Sequence, residues 1–353
     1  MVYIVGTVGN DNLPGTTGND TIVGLQGNDV VNSSASTIGG FDLLFGNAGF
    51  DSLYLSVSSN GIAYGGQDND QLFGSAGQDT MYGDNGADSL LGSASNDLLV
   101  GTNVNFDSLN DLADIINAGN GNDTIFGNSG NDLLSGQNGN DTIYGGQGDD
   151  FIDGDDLNQF GNDRIFGDLG NDTIIGGNGI DTLTGGAGTQ VFIGRLSSGT
   201  FEQNTSIVTD PKIGDSFAFT QPGATVSSRI VGNDKYIEAT FGSLRSRFIL
   251  QNGAGIPLGL RSVQDGGVTA ISSSESLSAN QKDLKIGVVD PSVIDAAFAE
   301  NRKLDRILEE AIASMAADPL INGGQPISTG YTLDLPPGTS LTQVFADAVK
   351  DAK

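Results

Sequence analysis

The 353-residue chain contains no cysteine, no histidine and no tryptophan. Without Cys no disulfide can staple the fold, although this names no compartment, because other cross-links can hold an extracellular fold instead. Without His and Cys the commonest general base and the thiol nucleophile are gone, and neither a Gly-x-Ser-x-Gly elbow nor a His-Glu-x-x-His zinc helix occurs. Long apolar runs are missing too, so no segment approaches the length of a membrane span. The opening residues, Met1 to Gly6, lack the basic and long apolar regions of a cleaved signal peptide.

The most telling absence is that of one acid. Residues 1–194 hold 26 Asp, no Glu and a single base, Arg164, for a net charge of -25. Residues 195–353 hold 18 acids and 14 bases, a net of -4, which brings the whole chain to -29. A merely acidic, soluble protein mixes its two acids. Exclusion of Glu requires a carboxylate on a short stem inside a tight turn, as a ligand would be. So acidic a chain excludes nucleic acid as a natural partner. With nothing to neutralise it, the first part should repel itself and stay open.

What fills that acidic part is a repeat. From Gly119 to Asp153 an Asp returns every nine residues, at Asp123, Asp132, Asp141 and Asp150, and a large aliphatic residue follows two places later, at Ile125, Leu134, Ile143 and Ile152. Glycine opens each turn. The three residues around each aliphatic position suit a short strand with its middle side chain inward. The six before them are rich in Gly, Asn and Asp, which tolerate positive φ and make tight turns. One turn and one strand cannot bury an apolar face alone, but two per coil stacked on neighbouring coils can. The expected fold is a flattened parallel β-roll with a thin core of Ile, Leu and Val.

Stacking sets the chemistry. Asp side chains and turn carbonyls come to lie in rows about 4.8 Å apart, and carboxylates that close repel one another unless cations lie between them. Oxygen-only ligands in flexible turns favour Ca²⁺ over Mg²⁺. Sixteen copies keep the Asp and its aliphatic partner, and their carboxylates are the candidate metal ligands: Asp11, Asp20, Asp29, Asp42, Asp51, Asp70, Asp79, Asp88, Asp97, Asp123, Asp132, Asp141, Asp150, Asp163, Asp172 and Asp181. Ser58 to Ile62 reads as a degenerate copy with Asn60 in the Asp position. Asp114 lies nine before Asp123, but its turn has no glycine, and residues 101–117 read as a longer loop with a little helix. In Gly185 to Phe192 the carboxylate has become Gln190, a copy expected to cap the roll.

Residues 6–193 resemble the hemolysin-type calcium-binding repeats of the RTX family. The resemblance implies a calcium-bound β-roll in which the repeat Asp and turn carbonyls ligate multiple Ca²⁺ ions lying between copies two apart in sequence. It puts sites at Asn60 and Gln190, and those touching the insertions before Asp42, Asp114 and Asp163, outside the regular pattern. It also implies export by type I machinery through an uncleaved C-terminal signal.

The expected fold class is all-β with a small α part, in three units: residues 1–194 the β-roll, 195–272 a β-rich capping segment, and 273–353 a helical C-terminal tail. In the second, residues 207–219 and 236–241 alternate as half-buried strands do, and Arg245 to Leu250 reads as another. In the third, Asp290-Pro291 begins a helix with an apolar stripe through Ile294, Phe298, Leu304, Ile307 and Leu308, and Ser340 to Gln343 is a capping box. The family resemblance implies that this tail serves as the type I export signal.

No catalytic constellation emerges, and because the repeats begin at residue 6 no enzyme or toxin domain is expected ahead of them. The leading reading is a secreted, non-enzymatic calcium-binding structural protein of a surface layer, sheath or extracellular filament, self-associating head to tail through an uncapped first coil. The alternatives are an adhesin binding cell-surface polysaccharide or ice, and a monomeric extracellular calcium-binding protein. Outward threonines such as Thr21, Thr80, Thr124 and Thr142 form too interrupted a row to match an ice lattice.

Overall fold

A computed structural model of the chain describes residues 1–33, 40–56, 58–102, 112–156, 159–221, 224–255, 258–260 and 284–288. Short strands follow one another, each pairing in parallel with the strand after next, so that alternate strands build two facing sheets of 15 and 13 strands. In one sheet Asp20–Gln26 pairs with Asp42–Ala48, and Thr124–Ser129 with Thr142–Gln147. In the other, Ser89–Ala94 pairs with Ile115–Asn120, and Phe151–Asp153 with Thr173–Ile175. This is the parallel β-roll: each coil is two strands and two turns.

The register follows the repeat. Ile125 lies beside Ile143 and Ile143 beside Ile165, one aliphatic side chain per strand, all fully buried. The opposite sheet supplies Leu90, Ile116, Leu134, Ile152 and Ile174, each at most 1 % exposed. The core is therefore a double file of side chains one residue wide, running the length of the roll. Residues flanking the aliphatic position point out, and on the first sheet they stack in columns. Phe45, Tyr64 and Tyr82 form one, and Phe126, Tyr144 and Phe166 another, with ring centroids 4.8–5.1 Å apart and planes within 6° of parallel.

Two expectations about register need correction. Gly61, not Asn60, stands in the Asp position, opposite Asp42, and Ala63 rather than Ile62 points inward beside Leu44. Ten residues separate Asp51 from Gly61, one more than the repeat, and the sheet absorbs the extra residue in the turn. The stretch before Asp123 is not wholly loop: Ile115–Asn120 is a strand in register with Leu133–Asn138, with Ile116 in the core.

The sheets do not end at Gln190. Val191–Gly194 pairs in parallel with Ser216–Phe219, and Gly179–Thr184 with Asn204–Val208. Residues 207–219 thus give parts of two strands, divided at Asp210-Pro211, where proline cannot donate to a ladder and Gly214 turns the chain at φ 113°. The first sheet then runs through Leu244–Leu250 and Asp234–Phe241 to Thr225–Val231, the last two joined antiparallel. Leu284–Val288 pairs in parallel with Ser216–Phe219. The helices expected from Asp290 onward lie outside the described residues. No described helix is long and apolar enough to cross a membrane.

Candidate metal centre

Each repeat Asp opens its strand at the end of a turn, and its carboxylate folds back under the backbone of the preceding coil. Its Oδ1 accepts the N–H of the residue in the equivalent position there. Asp97 donates to Asp123, Asp123 to Asp141, and Asp141 to Asp163, each at 2.7–2.8 Å. The ladder takes in every predicted ligand from Asp20 to Asp181, with lengths of 2.7–3.2 Å. Asp11, on the first coil, has its carboxylate bonded within its own turn.

The ladder also includes a residue that the sequence reading left out. Asp114 is fully buried and accepts from Asp88 while donating to Asp132. The nine-residue step to Asp123 was its signal, and the missing glycine concealed it. Insertions do not break the ladder: Asp20 donates to Asp42 across 22 residues and Asp97 to Asp123 across 26. At the far end Gln190 Oε1 replaces a carboxylate beneath Asp172, and Asp215 Oδ1 restores one beneath Gln190.

The second carboxylate oxygen is the chemically active one. In Asp29, Asp51, Asp70, Asp97, Asp123, Asp141, Asp150, Asp163 and Asp172 the Oδ2 is buried and has no hydrogen-bond partner. A buried, unpaired carboxylate oxygen is costly, and a cation bound beside it would relieve that cost. The space it faces is kept clear by the glycine that opens the turn. A Cβ added at Gly65 would lie 2.5 Å from Asp70 Oδ2 and 2.7 Å from the carbonyl oxygen of Gly83 on the next coil. Carboxylate and carbonyl oxygens therefore converge where only glycine fits.

Electrostatics point the same way. Burial, reinforced by neighbouring carboxylates, pushes Asp70 and Asp97 up to about 9 and Asp163 to about 10, far above the ordinary value near 3.8. Asp123, where burial is opposed by the N–H of Asp97, rises only to about 6. Among the described residues no three carboxylates converge as a metal cluster. The donor set is instead one or two carboxylates with turn carbonyls, hard oxygen ligands in adaptable turns, and it fits Ca²⁺.

A second ladder was not foreseen. The residue before the Asp is Asn at ten of the predicted ligands. Its side-chain oxygen accepts the N–H of the equivalent residue on the following coil, as Asn96 does from Asn122, Asn122 from Asn140, and Asn140 from Asn162, at 2.7–2.8 Å. This ladder runs opposite to the Asp ladder. The recurring Asn-Asp pair was its visible signal.

A buried acidic pair in an insertion also lies outside the ladder. Asp153 and Asp155, in the insertion before Asp163, are buried, and Arg195 donates to the Asp153 carboxylate and to the Asp155 carbonyl. Burial still lifts Asp153 to about 7 and, with Asp181 nearby, Asp155 to about 9. This pair ties the segment after Gly194 to the roll.

Comparison with known proteins gives the following. The RTX calcium-binding nonapeptide repeat matches at residues 5–35, 36–56, 63–101, 110–142, 126–158 and 159–189. No curated protein matches the chain. Among solved structures, the AlgE6R3 subunit of the Azotobacter vinelandii mannuronan C5-epimerase is 21% identical, with a TM-score of 0.25 over 43% of this chain and 94% of that one. The extracellular lipase LipA of Serratia marcescens is 14% identical, with a TM-score of 0.21, over 71% of this chain and 37% of the lipase.

Proposed function

This chain belongs to the RTX calcium-binding nonapeptide repeat family and is a calcium-binding β-roll protein, and from that premise we propose that it is a secreted, non-enzymatic structural protein that folds on Ca²⁺ outside the cell and self-associates. The observation that carries the calcium part is the row of buried, unpaired Oδ2 atoms facing glycine-cleared turns. RTX proteins are typically exported, and outside the cell free calcium reaches the range in which extracellular sites fill. Inside, the same carboxylates would lack their counter-ions and the roll would stay open, a state suited to passage through type I machinery.

Self-association is supported by the first coil. Strand Val2–Val5 pairs with Asp20–Gln26 alone among the described residues, and Val2, Tyr3, Val5 and Val8 are 43–76 % exposed. An open edge of this kind invites another strand, and head-to-tail contact that does not close makes a filament or sheath. Residues 195–272 serve in this reading to cover the opposite end of the roll, and residues 273–353 to direct export.

Binding of a polysaccharide ranks second. The aromatic columns would be its platform, but their ring faces are taken up by one another, which leaves edges rather than faces for sugar stacking.

A calcium titration from chelator to about 10 mM, followed by circular dichroism and light scattering, tests the reading. Cooperative gain of β signal followed by scattering is the expected result. Gain without scattering removes self-association, and full β signal already present in chelator removes calcium-driven folding.

A further inference from the structure

The turns are of two kinds, separated by the residue that stands four places before the Asp and by its backbone. In the turns ending at Asp29, Asp51, Asp97, Asp123, Asp141 and Asp172 that residue has a positive φ of 67–101°, and the Asp Oδ2 is unpaired. In the turns ending at Asp11, Asp20 and Asp79 the equivalent residues are Thr7, Thr16 and Ser75, none with positive φ among the described residues. Each directs both its N–H and its hydroxyl at the Asp Oδ2. The distances are 2.5 and 2.9 Å for Thr7, 2.5 and 2.8 Å for Thr16, and 2.7 and 3.0 Å for Ser75.

Side-chain chemistry alone does not decide this. Ser93 occupies the same place before Asp97, but its φ is 81° and Asp97 Oδ2 stays unpaired. The decisive feature is a hydroxyl residue in an ordinary negative-φ turn. Two donors aimed at Oδ2 use its lone pairs and put partial positive charge where a cation would sit.

We infer that the Thr7, Thr16 and Ser75 turns are closed by their own hydroxyls and take no calcium, whereas the glycine-cleared turns with unpaired Oδ2 do. This deepens the calcium reading and rests on it. The two kinds are unevenly placed. Asp20, Asp42, Gly61 and Asp79 succeed one another along one side of the roll. Two of them are hydroxyl-closed, one lacks a carboxylate, and Asp42 has Ser33 and Ser56 hydroxyls beside it. Asp42 Oδ2 is itself unpaired, and the next unpaired Oδ2 on that side is that of Asp97, while on the other side unpaired Oδ2 atoms begin at Asp29. Calcium therefore staples the first coils mainly along one side and the later coils along both.

The test is to count bound calcium on the full chain by native mass spectrometry after saturation and desalting, comparing Asp79→Asn with Asp97→Asn. Both substitutions keep an Oδ1 acceptor for the ladder, and circular dichroism in calcium confirms that each variant has folded. Asp97→Asn should lose bound calcium and Asp79→Asn should keep the wild-type count. Ser75→Gly, which restores the residue found at Gly119, should gain one ion. Equal losses from Asp79→Asn and Asp97→Asn overturn the inference, as does a Ser75→Gly chain that gains nothing. A wild-type chain carrying no calcium would instead overturn the reading beneath it.

Discussion

At the residue scale the repeat Asp does two jobs with two oxygens. In the open turns Oδ1 holds the preceding coil, and Oδ2 is left to a cation. The protonation of such a group has a definite sign. The folded-state values for Asp70, Asp97 and Asp163 lie at about 9 to 10, above the ordinary 3.8, because burial disfavours the charged form. Without calcium their contribution to stability is therefore fully present below about pH 4 and is lost as pH rises through 9. A chain in chelator should gain β signal as it is acidified from pH 8 to pH 4, and a flat circular dichroism profile over that range would contradict the assignment. Gly65 makes a sharper point. Placing a Cβ 2.5 Å from Asp70 Oδ2 forces the carboxylate aside, so Gly65→Ala should cost about 1–3 kcal/mol in calcium, read from urea unfolding.

At the scale of the element, each strand contributes one buried side chain. Ile143 is fully buried between Ile125 and Ile165, and no second layer can move in to fill a gap. Ile143→Ala should therefore lie toward the upper part of the ~2–5 kcal/mol range for such truncations, measured as loss of stability at saturating calcium. The strands, the turns and the repeat Asp could be read from the sequence because each depends on local spacing. What could not be read was register across irregular turns. Asn60 looked like a substituted Asp, yet it accepts the N–H of Gln78 in the Asn ladder and leaves the Asp position to Gly61. Asp114 looked like loop because glycine was missing, but the Oδ1 ladder asks only for a carboxylate in the right place. The closed turns at Thr16 and Ser75 were hidden because their difference is a backbone angle, and Ser93 shows that the same side chain can sit in either kind.

For the whole molecule, stability is a sum over coils rather than the property of a central core. Each coil touches the next through the Asp ladder, through the Asn ladder where Asn precedes the Asp, and through the same file of aliphatic side chains, so the structure is nearly one-dimensional. Deleting residues 124–141 removes one full coil of 18 residues and brings Asp123 against Thr142, the residue that copies Thr124. The shortened chain should fold on calcium with a proportionally reduced β signal. Deleting residues 124–132, half a coil, should not, because it would place each later strand on the wrong sheet. Calorimetry of the two deletions decides it.

The two ladders also give the roll a direction. N–H groups of the Asp row point toward later coils and those of the Asn row toward earlier ones, so the two ends of any stack are chemically unlike. One end offers carboxylate acceptors and the other offers donors waiting for them. A stack of this kind extends like a zip that accepts teeth in one orientation, and a coil arriving reversed finds donor facing donor. The hydrogen bonds thereby favour parallel stacking, and the ions hold the coils once they are stacked.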